Sequence, residues 1–142
     1  MYNRTDISVA VALLAAACSV LVIALWLKPA AIGYGTHTQL GLPPCNFLRI
    51  THLPCPSCGL TTCFAYAVRF QFFKAFLANP FGILAFFATV SVIPTTIYLL
   101  SRRISFRRIT ESAHFIRAVY VGTACYFTSW VFKLTLMHFS GH

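Results

Sequence analysis

Residues 7–27 run for 21 positions without a charged side chain. At 1.5 Å per residue, a helix over them is about 30 Å long, the thickness of a bilayer's hydrocarbon core. Residues 81–100 form a second uncharged run of 20 positions. Backbone in lipid must satisfy its own hydrogen bonds, so runs of this length and apolarity predict helices. Composition agrees: 58% of the 142 residues are hydrophobic and 9% are charged, against about a quarter charged in a water-soluble domain. A signal peptide has an apolar region of about 7–15 residues, shorter than the first run. The apolar run also continues for nine residues beyond Cys18, which excludes a lipoprotein cleavage site there. Cys18 is expected to be a small buried hydrophobe.

A third span is expected over residues 115–137. Arg117 and Lys133 lie about one turn inside its two ends, where long side chains snorkel to the interface. Net charge is +9, eleven Lys and Arg against only Asp6 and Glu111. On a membrane chain this excess faces lipid headgroups and gives no reason to invoke nucleic acid. Arg102, Arg103, Arg107 and Arg108 crowd into residues 101–108. The positive-inside rule places that loop in the cytoplasm. Three spans then put the N-terminus inside, and residues 30–78 with His138 and His142 outside.

The outer segment holds the chemistry. Residues 33–44 are turn-rich and expected to be irregular. Cys45, Cys55 and Cys58 follow. Pro54 and Pro56 hold Leu53 and Cys55 extended. Ser57 is a good N-cap for a helix starting at Cys58, which would favour a thiolate at Cys58 and at Cys55. One helix is expected over residues 58–78. Its uncharged part is too short to cross a bilayer, so it reads as re-entrant or interfacial, with Arg69 and Lys74 reaching toward headgroups. Asn79 and Pro80 then supply an N-cap and a first-turn proline for the next span.

Three uses of the cysteines stand side by side. Cys45 paired with Cys55 or Cys58 makes a disulfide staple, contributing about 2–3 kcal/mol. Cys45, Cys55 and Cys58 with His52 or His37 make a tetrahedral metal set suited to zinc or copper. The Cys55-Pro56-Ser57-Cys58 pair can also serve thiol–disulfide exchange. No carboxylate lies near to orient a histidine, so no residue is assigned a hydrolytic catalytic role.

Pro44-Cys45, Thr51, Cys55-Pro56-Ser57-Cys58-Gly59-Leu60-Thr61 and Asn79-Pro80 together resemble the DUF2752 family of small bacterial membrane proteins of unknown function. Where that family usually places an arginine after the Gly-x-Thr, this chain has Thr62. The resemblance implies no reaction; it implies a bacterial inner-membrane protein and directs attention to the cysteine region. The expectation is an all-α integral membrane protein of one domain: three transmembrane helices plus one re-entrant or interfacial helix after an extracytoplasmic cysteine loop. Its expected role is accessory, structural or in assembly, with the bilayer and a larger complex or a second copy as partners.

Overall fold

The computed structural model describes residues 4–106 and 110–139; Arg107, Arg108 and His142 lie outside the described residues. The described chain is helical without strands: α1 (Arg4–Trp26), a 3-10 helix (Thr36–Leu40), α2 (Asn46–Thr51), α3 (Leu60–Ala67), α4 (Phe72–Ala78), α5 (Pro80–Arg102) and α6 (Ala113–Phe139).

Two helices are long and apolar enough to cross a membrane. They are α1 and α5, 23 residues each, with mean hydropathy 2.7 and 2.0 in their most apolar stretches. Only 17% of each of those stretches is buried. The core helix of a water-soluble domain would be covered; these leave Val11, Val22, Leu25, Leu84 and Ile97 bare. Cys18 is exposed on α1 too, not buried as expected, because the helix turns that face away from its neighbours. α6 has the length for a third span, 27 residues. Arg117, Lys133 and its interspersed Tyr, Thr and Ser lower its apolarity, and it is not among the helices that pass the same measure.

α1 buries Asp6, Ala10, Ala17 and Ala24, a stripe of mostly small residues that lets helices approach closely. It packs on α5 and α3. The Asp6 carboxylate accepts from Ser105 Oγ (2.9 Å) and the Phe106 N–H (3.1 Å). The start of α1 is thereby tied to the chain just after α5, so the two helices run antiparallel. The core lies at the opposite end, where Ala24, Cys63, Phe64, Ala67, Ala75, Ala78 and Phe86 cluster. Gly82 of α5 lets α3 close in: a Cβ there would lie 2.7 Å from Cys63 Sγ.

The helix expected over residues 58–78 is instead a helical hairpin, α3 and α4. α3 ends in a Schellman motif: Gln71 N–H donates to Tyr66 O (3.1 Å) and Phe70 N–H to Ala67 O (3.0 Å). Phe70 holds the left-handed position at φ 59°, where glycine is usual. Arg69 does not reach for headgroups. Its guanidinium donates to Ala65 O (2.6 Å), Leu25 O (2.6 Å) and Ala24 O (3.2 Å), satisfying carbonyls at the ends of α3 and α1 together. Phe70→Gly is expected to stabilise the protein by about 1 kcal/mol, because Phe70 is 82% exposed and its strained φ costs glycine nothing. Thermal melts in detergent check this; a lowered melting point would show that the edge-on contact of Phe70 with Phe72, ring centroids 6.1 Å apart, is worth more than the strain.

Candidate metal centre

The loop between α1 and α3 is more ordered than its turn-rich composition suggests. The Gln39 side chain grips the end of α1, accepting from Lys28 N–H (3.1 Å) and donating to Lys28 O (2.6 Å). Thr36 and Thr62, both fully buried, share a 2.7 Å hydroxyl contact, and Thr36 Oγ1 also accepts from Ala30 N–H. Thr62 is therefore a packed internal tie, with its hydroxyl committed inside the fold.

Cys45 is the N-cap residue of α2. That helix ends at His52, whose φ of 56° reverses the chain. The chain then returns to Cys55. Pro56 fixes the second position of a turn closed by Cys58 N–H donating to Cys55 O (3.0 Å). Cys55 and Cys58 Sγ consequently lie 3.2 Å apart. Cys45 completes the group: the three Sγ atoms all lie within 4.8 Å of one another. Three thiolates around one ion, each about 2.3 Å from it, stand about 4 Å apart, so the group fits a metal with small adjustment.

The structure brings together three of the five expected ligands. His52 is exposed at the end of α2, its backbone occupied in reversing the chain. His37 sits in the 3-10 helix, which Gln39 pins to the end of α1. Among the described residues neither joins the thiol group. The other cysteines stay apart as well. Cys63 is fully buried against Gly82, Cys18 is on the exposed side of α1, and Cys125 lines a groove between α5 and α6.

The expected helix start at Cys58 is displaced. α3 begins at Leu60 after Gly59, with no side-chain cap, and Ser57 Oγ instead shares a 2.9 Å hydrogen bond with Tyr126 Oη. The thiol chemistry moves accordingly. The Leu48 backbone amide in the first turn of α2 leads the contacts that hold the Cys45 thiol below its ordinary value, against the opposing effect of burial. Burial above all, reinforced by the Cys55 side chain, pushes Cys58 up to about 12. In metal-free protein near neutral pH, Cys45 is therefore expected to alkylate before Cys58, and to keep its lead as pH falls because its thiolate persists to lower pH. Timed iodoacetamide labelling with peptide mass spectrometry reads the order; Cys58 reacting first would contradict it.

Sequence reasoning missed the residues that hold the motif in place. α6 turns one face to it. Tyr126 meets Ser57, Trp130 Nε1 donates to Pro54 O (2.8 Å), and Lys133 Nζ donates to Cys58 O (2.7 Å) and Ala78 O (2.8 Å). Ser129 Oγ accepts from Phe81 N–H (3.1 Å) and donates to Asn79 Oδ1 (3.4 Å). The spacing 126, 129, 130, 133 is one helix face, and that polar stripe in an apolar helix is the signal that was available. Asn79 is the other anchor. Its Oδ1 accepts from Gly82 N–H at the start of α5 (3.0 Å), while Nδ2 donates to Pro56 O (3.3 Å) and Cys58 O (3.2 Å).

Residues 45–93 match the family model described as "Protein of unknown function (DUF2752)". The match spans about a third of the chain and takes in the three thiols, Gly59 and Asn79; the clamping face of α6 lies beyond it. No curated protein and no solved structure matches the chain.

Proposed function

We propose that this chain is a small multi-pass membrane protein of accessory role, in which Cys45, Cys55 and Cys58 bind a metal ion, zinc or copper, rather than a stand-alone enzyme. The convergence of three Sγ atoms within 4.8 Å carries the reading. A staple needs two thiols and leaves the third without a task; a metal uses all three. The ion would close the loop from residue 45 to residue 58 and fix the start of α2 against the turn before α3. α6 serves as the third span, with the N-terminus cytoplasmic and the thiol loop outside a bacterial inner membrane. The antiparallel α1 and α5, and Arg102 and Arg103 just before the residues that meet Asp6 at the start of α1, support that arrangement. The lipid bilayer covers the bare faces of α1 and α5, with a larger membrane complex or a second copy as further partner.

One observation favours a second use. The 3.2 Å approach of Cys55 and Cys58 Sγ suits a disulfide, with Cys45 left to attack it in exchange. A thiol count separates the two. Cells are quenched in acid, the protein is alkylated denatured and unreduced, and its intact mass is read. The metal reading predicts that all six cysteines react. Two blocked thiols mapping to Cys55 and Cys58 would replace it with the disulfide.

A further inference from the structure

Among the described residues, Lys133 is a cation with no carboxylate side chain at its end of the molecule. The chain has two carboxylate side chains, Asp6 and Glu111. Asp6 is engaged with Ser105 and Phe106 at the far end of α1. Glu111 lies before the start of α6, with roughly 30 Å of helix between that start and residue 133. The Lys133 ammonium is half-buried, is held by two carbonyl oxygens, and lies within electrostatic reach of Cys55, Cys58 and Cys63. Carbonyl oxygens solvate an ammonium but do not neutralise it, and an uncompensated charge away from water is costly. Among the described residues, the groups nearby that can carry negative charge are the thiols.

Charge then selects the ion. Three thiolates around a divalent cation leave a single negative charge, which Lys133 cancels. The same set around a monovalent cation leaves a negative charge uncancelled beside the buried Cys58, with Cys45 and Cys55 half-buried. Coordination makes a second statement. A structural zinc site closes with four protein ligands, whereas three protein ligands leave one position for a small molecule or a partner's donor. Among the described residues only three donors converge.

We infer that Cys45, Cys55 and Cys58 form an open tris-thiolate site for a divalent, thiophilic cation of the zinc class, with Lys133 as its counter-charge and the fourth position free for an exogenous ligand. The inference rests on the metal reading above. Lys133 is a positioning residue here: its ammonium acts on the thiolates through space and by orienting the Cys58 carbonyl.

The test uses the full chain in detergent, with zinc(II) and copper(I) affinities measured by competition with chromophoric chelators. Lys133→Arg keeps the charge and is expected to hold zinc within about threefold of the wild type. Lys133→Gln keeps a donor for the carbonyls and loses the charge, so it is expected to weaken zinc by about tenfold or more. Equal zinc affinity in Lys133→Gln and the wild type would overturn the counter-charge. Cobalt(II) in the wild-type site is expected to show sulfur-to-metal charge-transfer bands, and to change its visible spectrum when imidazole is added; an unchanged spectrum would overturn the open position. Should Lys133→Gln fail to fold, the cobalt(II) titration and the zinc–copper(I) competition on the wild type still decide. Copper(I) binding without zinc binding overturns the divalent class and leaves the metal reading standing. Failure to bind any of the three ions removes the metal reading itself.

Discussion

Gly59→Ala is expected to unmake the thiol site and to destabilise the protein by about 3 kcal/mol or more. Gly59 sits between Cys58 and the start of α3 at φ +83°, a region that costs an L side chain. The space is closed as well. A Cβ there would lie 2.5 Å from Ala78 O, 2.6 Å from Gly33 O and 2.9 Å from Lys133 Nζ. Two of those atoms are backbone and cannot rotate aside. The third is the ammonium that holds the Cys58 and Ala78 carbonyls. Strain and overlap act together, and relief requires moving α4 or the loop at Gly33. The melting point in detergent and the bound-metal content should fall together. A loss below about 1 kcal/mol would mean that the turn opens without cost.

Asn79→Ala is expected to cost about 2–4 kcal/mol, the sum of a lost helix cap, a Pro56 carbonyl left without its donor and a Cys58 carbonyl left with Lys133 alone. The Asn79 side chain is 1% exposed. Removing it leaves Gly82 N–H without its cap and takes a donor from both Pro56 O and Cys58 O. The change therefore reaches from the start of α5 to the turn that sets Cys55 against Cys58. Asn79→Asp separates the two roles. It retains the acceptor for Gly82 but sets an oxygen against two carbonyl oxygens, so it should be at least as damaging. Aspartate behaving like the wild type in a detergent melt would show that Asn79 acts only as a cap.

The sequence made the long helices legible because an uncharged run of about 20 residues has few structural options. The start of α5 was legible because Asn79-Pro80 is a local signal, and the structure places the cap there. The thiol cluster was legible only as a set of three residue types. Which histidine would join them depended on where α2 ended, and no residue between Cys45 and His52 announces a six-residue helix. The break between α3 and α4 was hidden for a related reason. It falls at Phe70, a residue that normally avoids the left-handed region; Arg69, bridging to the end of α1, holds it there. The thiolates expected at Cys58 and at Cys55 depend on a helix beginning at Cys58; Gly59 delays that start, and burial pushes the Cys58 thiol up instead. By sequence, Lys133 is a snorkelling end residue. Only the folded arrangement, which sets residue 133 beside residue 58, turns it inward.

The most direct test of the account is the metal content of the full chain purified without chelators, measured per chain by elemental analysis alongside Cys45→Ser, Cys55→Ser and Cys58→Ser. The account predicts about one thiophilic metal ion per wild-type chain, lost in each of the three variants. A wild-type chain without metal, or a Cys45→Ser variant that retains it in full, would contradict the three-thiol centre.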